Sequence, residues 1–511
     1  MKNIQELVKY GYDNYKDKNF IHYKSDNEYH PITFEDTIND ILYLSEALLS
    51  IGLKGKKIII IGENSYEWMI SWVSIIGYVG IALPVDKTWT IHDLRNIINT
   101  TDIAAIIYSN FNKELIKQIR KEYKDIRCIN VNTDLEKLLQ KGKKINSKKE
   151  DKFKFEEIDN TEICEIRYSS GTTAFPKAIP LTQKNLLANM ENMLKRAPMD
   201  NDDRVLIFLP LHHAYSSICA YLYSFYSGLQ NYIGSGLANL ADDLKLSKPT
   251  VLTGVPLIYY KFLEKIDEQT MNKMKKAIKI SNILRIVGID LRKKIFKKFH
   301  EAFGGNMKYW FCAGSYLKLD VKKFYEDLGV KIQCAYGLTE CSSLVALEYY
   351  DRKDEKSAGV ILENQKVKVL NPNKNGEGEI LIKGDHVMPG YMNNDKLNKK
   401  VFINGYFKTG DIGRIDENNN IFIVGRKKRV IVGPGGKNIY PDELEELIKE
   451  TGNLDNVKVF EENDDICALI VSELSEKEVQ AIIAKANKKL AKYTQIKKHI
   501  LKNPKDTQII K

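Results

Sequence analysis

The seven cysteines of this 511-residue chain, at 128, 164, 219, 312, 334, 341 and 467, include no CxxC pair. An odd set without spacing argues against a disulfide scaffold and suits reduced thiols in the cytoplasm. A membrane-spanning run is missing too. The uncharged stretch MISWVSIIGYVGIALPV (69–85) carries Gly77, Gly80 and Pro84 and meets Asp86 and Lys87 at once. Those breaks fit a buried helix, a turn and a short core strand. The first twenty residues are polar, unlike a signal peptide. No internal repeat is present. These absences lead us to expect a soluble, cytoplasmic protein with at most peripheral membrane contact.

What is present is ordinary globular composition, 43% hydrophobic and 28% charged, on a chain long enough for at least two domains. The net charge of +11 thickens at KGKKINSKKEDKFK (141–154) and LRKKIFKKFH (291–300). The first of these reads as a surface loop. Solvated faces account for most such charge, and polyphosphates, acidic carrier proteins or anionic membranes are its sharper partners.

Short apolar runs alternate with helical patterns: KKIIII (56–61), the helix EWMISWVSIIGYVG, IALPV, the helix DLRNIINTTD, then IAAIIYS. Such alternation predicts helix-covered, mostly parallel sheets. It resumes through VLIFLP, TVLTGVP, KYWFCAGS and KIQCAYG. From about 356 to 426 short strands with glycine turns predict a small antiparallel or barrel-like subdomain. The expected organisation is α/β: a large domain over 1–427, then a small, mobile α+β domain over 428–511.

The stretch YSSGTTAFPKAIPLT (168–182) has the composition of a phosphate-cradling loop. Gly171 permits a tight turn, hydroxyls and amides can donate to phosphate oxygens, and Lys177 adds charge. It is not a Walker loop, because no GK[ST] follows.

YSSGTTAFPK closely resembles the signature loop of the adenylate-forming (AMP-binding) superfamily. LPLHHAYSS (209–217), TVLTGVP (250–256), CAGSYL (312–317), AYGLTECSS (335–343), GEILIKGDHVMPGYMNN, YFKTGDIG and GRKKRVIVGPGGKNIYPDELE follow in the family's order. The LHHAY and GGKNIYPDELE blocks look most like bacterial long-chain fatty acyl-CoA synthetases. The resemblance implies attack of a carboxylate on the α-phosphorus of ATP, then attack of a thiol on the acyl-adenylate. Positioning and charge neutralisation carry such steps, and the chain shows no sign of a Ser/His/Asp triad.

Carried over residue by residue, the resemblance implies that Ser169, Ser170, Gly171, Thr172 and Thr173 wrap phosphates, with Lys177 nearby. Glu340, beside Thr339, would hold Mg²⁺, with Thr172 as a second ligand. Tyr336, followed by Gly337, would stack on adenine, and Gly314 and Ser315 would line the base pocket. Asp411 and Arg426 would hold the ribose, and His213 would lie at the acyl pocket. Lys428 would be the hinge. Gly435, Gly436 and Lys437 would face the incoming CoA.

The chain also departs from the family pattern. Alanines stand at Ala174 and Ala178 where the family carries glycine, and Ser315 and Tyr316 replace a common Ala-Pro. The family's catalytic lysine falls on Ile510, so Lys511 comes one residue late. The implied activity is AMP-forming ligation of a medium- or long-chain fatty acid to CoA. The alternatives are an acyl-AMP ligase or acyl-carrier-protein synthetase, and a nucleotide-binding pseudoenzyme with a decayed catalytic tail. No nucleic-acid partner is expected.

Overall fold

The computed structural model describes residues 1–169, 177–350, 356–429, 431–433, 437–462, 465–490 and 494–504. The chain divides into two compact units. One comprises Met1–Gln365 with Lys383–Lys400, the other Lys366–Ile382 with Val401–Lys511.

The first unit is α/β. Its six-stranded sheet runs in the order Arg127–Asn130, Ile103–Tyr108, Lys57–Ile61, Ile81–Val85, Ile163–Ser169, Lys177–Thr182. Every neighbouring pair is parallel except the last. The all-isoleucine run Ile58–Ile61 is buried on both faces, as a helix-covered parallel strand must be. In the nine-stranded sheet, parallel strands Ile332–Leu338, Tyr309–Cys312, Val251–Gly254, Arg204–Ile207, Gln230–Ile233 and Asn19–Ser25 occupy the centre. Antiparallel strands close each edge. The apolar run at 69–85 becomes the helix Tyr66–Ser74, a π-helical turn Ile75–Val79 and the core strand Ile81–Val85. No described helix is long and apolar enough to cross a membrane.

The reading of 141–154 as a loop is corrected. The helix Val131–Asn146 takes up its first half. A Cβ on Gly142 would lie 1.7 Å from the Tyr43 carbonyl oxygen, so only glycine lets this helix press against the helix Phe34–Ser50. Lys149 pairs with the buried Glu46 and sits 3.9 Å from the Phe155 ring centroid. Lys149 and Lys152 are thus partly buried against their partners, while Lys141, Lys143, Lys144 and Lys148 remain exposed.

The second unit holds an antiparallel sheet built on Tyr406–Ile415, whereas Val360–Ile361, within the stretch 356–426, joins the nine-stranded sheet of the first unit. It continues with the helix Pro441–Gly452, the antiparallel pair Asn456–Glu462 and Asp465–Val471, and the helix Glu476–Asn487. A further strand, Lys498–Lys502, pairs in parallel with Asp465–Val471. Its core gathers Leu444, Ile448, Val459, Ile470 and Ile483.

Candidate active site

In open parallel sheets, ligands bind beyond the carboxyl ends of the strands. Two neighbouring strands of the nine-stranded sheet bring candidate residues there. Tyr309–Cys312 runs into Gly314 and Ser315, both exposed. Gly314 has φ +92°, a left-handed conformation that glycine adopts without strain. Its neighbour Ile332–Leu338 carries half-buried Tyr336 and Gly337 and turns into the short 3-10 segment Thr339–Cys341, which holds Glu340.

Backbone geometry fixes that turn tightly. A β-bulge falls between Tyr336 and Gly337. A Cβ on Gly337 would stand 1.6 Å from the carbonyl oxygen of Ser343, so no other residue fits. Ser342 and Ser343 both have positive φ, 54° and 112°, which is costly for non-glycine residues. The Ser342 hydroxyl donates to the carbonyl of His386 at 3.0 Å, one of the bonds that hold the strained pair.

The segment 385–392 wraps around Glu340. The amide of Met388 donates to the Glu340 carbonyl at 2.8 Å, and Tyr391 Oη donates to Glu340 Oε1 at 2.8 Å. Tyr391 is itself clamped. Its amide donates to Asn398 Oδ1 at 2.8 Å, and Asn398 Nδ2 donates to its carbonyl at 2.9 Å. Lys177 Nζ lies 4.8 Å from the ring centroid of the buried Tyr391, a cation–π contact in which the lysine stays partly exposed. The amide of Met392 donates to the carbonyl of Ala178 at 3.1 Å. Lys177, Tyr391 and Glu340 therefore form one connected cluster.

Tyr391 lies within the block GEILIKGDHVMPGYMNN, where only its place directly after Gly390 marks it in the sequence; the structure gives that glycine a φ of +142°. Ala178 lies in a regular strand opposite Tyr168 and is not among the positive-φ residues, so alanine imposes no strain there.

The LPLHHAYSS segment is tied to the other sheet by a buried ion pair. Arg167 Nη2 and Nε donate to Glu165 Oε1 and Oε2 at 2.8 and 2.9 Å. Trp72 Nε1 donates to Glu165 Oε1 at 2.7 Å. Arg167 also reaches across to the carbonyl of His212 and, at 2.7 Å, to the Ser217 hydroxyl. His212 Nε2 is 3.6 Å from Asp86 Oδ2. Burial, reinforced by neighbouring His213, drives the His212 pKa down to about 3, so the ring is neutral at physiological pH. His213 is exposed, with its ring centroid 4.1 Å from that of His212.

In the second unit, Asp411 and Arg426 face each other across paired strands. Arg426 Nε donates to Asp411 Oδ1 at 2.8 Å, with the carboxylate buried and the guanidinium exposed. The amide of Asp411 donates to Thr409 Oγ1 at 3.0 Å, and that of Arg426 to Asp442 Oδ2 at 3.1 Å. Asp411 is thus an acceptor of fixed orientation beside a cation.

Ser170, Gly171, Thr172, Thr173, Ala174, Gly435, Gly436 and Lys511 lie outside the described residues. Ser169 and Lys437 are placed as strand residues, and Lys428 lies in the short turn Lys427–Arg429.

Residues 10–392 match the family described as AMP-binding enzyme. Long-chain-fatty-acid–CoA ligase FadD15 of Mycobacterium bovis is 26% identical over 446 residues, covering 82% of this chain and 73% of that protein. The chloroplastic long-chain-fatty-acid–[acyl-carrier-protein] ligase AEE15 of Arabidopsis thaliana is 26% identical over 516 residues, covering 84% and 70%. Among solved structures, the anthranilate CoA ligase AuaEII in complex with anthranoyl-AMP superposes with a TM-score of 0.80, over 98% of this chain and 93% of that one, at 17% identity. At that identity it speaks to the fold alone.

Proposed function

The chain belongs to the AMP-binding enzymes, a family of adenylate-forming ligases, and from that premise we propose that it activates a fatty acid with ATP and passes the acyl group to CoA. A carboxylate oxygen of the acid bonds to the α-phosphorus and pyrophosphate leaves. The thiol sulfur then bonds to the acyl carbon, AMP leaves, and the thiol proton goes to solvent.

The observation that carries the reading is the Lys177–Tyr391–Glu340 cluster at the carboxyl end of the sheet. Glu340 is a half-buried carboxylate with one oxygen oriented by a phenol, a hard donor that fits Mg²⁺. No group of three or more His, Cys, Asp or Glu side chains that could hold a metal occurs among the described residues. A cation at Glu340 would therefore complete its shell from substrate phosphate, water and the hydroxyl proposed for Thr172. When bound, it would neutralise phosphate charge that develops as pyrophosphate departs. Lys177 adds positive charge on the same side. Tyr336 offers a ring for adenine, with Gly314 and Ser315 along the base. Asp411 suits ribose hydroxyls, since a carboxylate accepts through two oxygens. Lys428 is proposed as the hinge of the movement between half-reactions, and Gly435, Gly436 and Lys437 as the CoA side.

The FadD15 likeness supports a long-chain acid with CoA as acceptor, and the equal identity to AEE15 makes a carrier-protein acceptor the second reading. Carboxylate-dependent exchange of pyrophosphate into ATP, over a panel of fatty and aryl acids, tests the first step. Adding CoA or phosphopantetheinylated carrier protein afterwards distinguishes the acceptors. ATP binding without exchange on any acid would identify a pseudoenzyme instead.

A further inference from the structure

The segment 271–300 carries ten lysines and arginines and one acidic residue, Asp290. Arg292 already occupies that acid, its Nε and Nη2 donating to the two carboxylate oxygens at 2.9 and 2.6 Å. The helix Glu268–Ile286 spans much of this segment. One of its faces is anchored: Met274, Ala277 and Ile278 pack with Phe296, Phe324 and Leu328. On the helix, Lys273, Lys275, Lys276 and Lys279 pair with no carboxylate among the described residues.

The opposite face is apolar towards its end. Ile280, Ile283, Ile286 and Val287 are 60, 65, 84 and 68% exposed, and Ile289 beyond the helix is 47% exposed. Positions 280, 283 and 287 repeat at helical spacing, so they form one stripe. Single exposed aliphatics need no explanation, but four β-branched ones at one helix end, with Ile289 just beyond, form a patch. None lies in the cluster around Glu340.

We propose that this helix end docks on an anionic lipid bilayer, with the Ile280–Ile289 tip entering the interface and the surrounding lysines meeting lipid phosphates. An interfacial helix needs this combination: an apolar face to bury and a cationic rim for the headgroups. An acidic carrier protein would satisfy the lysines but would leave much of a protruding apolar tip in water. A bilayer interface takes both. The proposal does not rest on the identity of the acyl substrate. It would place an enzyme of hydrophobic acids where such acids partition.

The experiment is co-sedimentation of the full chain with vesicles of phosphatidylglycerol and phosphatidylcholine, against phosphatidylcholine alone. Binding to the anionic vesicles, weakened by salt, is expected. The triple substitution Ile283→Ser, Ile286→Ser, Val287→Ser should lower that binding at least about tenfold, while pyrophosphate exchange with a water-soluble acid stays as in the parent. Lys276→Glu with Lys279→Glu should flatten the salt dependence. Ile286→Trp should show a blue-shifted emission only with anionic vesicles. Absence of vesicle binding at low salt, or binding that the triple substitution leaves intact, overturns the proposal. So does capture of a purified acidic carrier protein through these residues with no vesicle binding.

Discussion

Tyr391 donates its phenolic hydrogen to Glu340 across 2.8 Å, and its own backbone is gripped on both sides by the Asn398 amide. The carboxylate proposed to hold Mg²⁺ is thus oriented by a side chain that is itself fixed. Partners of this kind are worth about 10- to 100-fold in metal affinity or activity. Tyr391→Phe keeps the ring under Lys177 and removes only the hydroxyl. The expected result is a rise of that order in the Mg²⁺ concentration needed for pyrophosphate exchange, with little change in thermal stability. An unchanged Mg²⁺ requirement would remove Glu340 from the metal site or Tyr391 from its support.

Gly337→Ala tests the turn that presents Glu340. The added methyl would meet the Ser343 carbonyl oxygen at 1.6 Å, and backbone atoms cannot swing aside as a side chain can. The bulged strand must shift, carrying Thr339 and Glu340 with it. Adenylation should fall by about two orders of magnitude or more, as a misplacement of about 1 Å at a reacting centre can cost. Ser343→Gly, by contrast, relieves the φ of 112° and should be neutral or stabilising. Both are read by exchange rate and denaturation midpoint.

These two residues also show what the sequence concealed. Periodicity and the ordered blocks made the α/β architecture, the parallel strands and the neighbourhood of Glu340 legible, because hydrophobic runs and glycine turns are local signals. The role of Gly337 depends on Ser343 returning on an antiparallel strand, and that of Tyr391 on a contact spanning about fifty positions. Such contacts leave no periodic trace. The helix over 141–146 carries no comparable signal, because its lysines have the pattern of a solvated loop while the deciding contact is Gly142 against the backbone of Tyr43. Glu165 and Arg167, alternating in a strand, have the pattern of a solvent face and instead neutralise each other in the core.

That pair carries a prediction of its own. Breaking a buried ion pair by removing one partner costs about 3–5 kcal/mol, since the other charge is left desolvated. Arg167→Met should cost this much, and Glu165→Leu with Arg167→Met should recover part of it, since the buried Trp72 Nε1–H then loses its acceptor. The double variant still lacks the bonds to the His212 carbonyl and Ser217. It should therefore fold well and yet show a raised KM for the carboxylic acid, if the LPLHHAYSS segment borders the acyl pocket. A normal KM in the double variant would detach that segment from substrate binding.

His386 is buried, with neither ring nitrogen hydrogen-bonded among the described residues, and burial lowers its pKa from 6.5 to about 4. The folded state therefore stays neutral while the unfolded imidazole takes a proton near pH 6.5. Stability is held above that pH and falls as acidification proceeds towards pH 4, by at most about 3 kcal/mol for this residue. His386→Leu loses no side-chain hydrogen bond and should be neutral or stabilising at about pH 7.5, with a shallower loss by about pH 5. Denaturant midpoints at the two pH values measure it. An equally steep loss in the variant would show that the acid sensitivity comes from other buried imidazoles, His22 and His212 among them.

The last residue, Lys511, lies outside the described residues, so its case rests on register alone. The resemblance implies a cation bridging the carboxylate and the α-phosphate in the proposed reaction, and the chain has a lysine one position beyond the family's place for it. A preorganised charge at such a point is worth about 10²–10³ in rate. If Lys511 supplies it, Lys511→Ala lowers acyl-AMP formation by that factor and leaves thiolysis of added acyl-AMP untouched, because only the first half-reaction needs the bridge. Exchanging Ile510 and Lys511 in the same assay separates register from loss. Full adenylation in Lys511→Ala would strike the residue from the mechanism, and faster adenylation after the exchange would show that the extra position had been limiting.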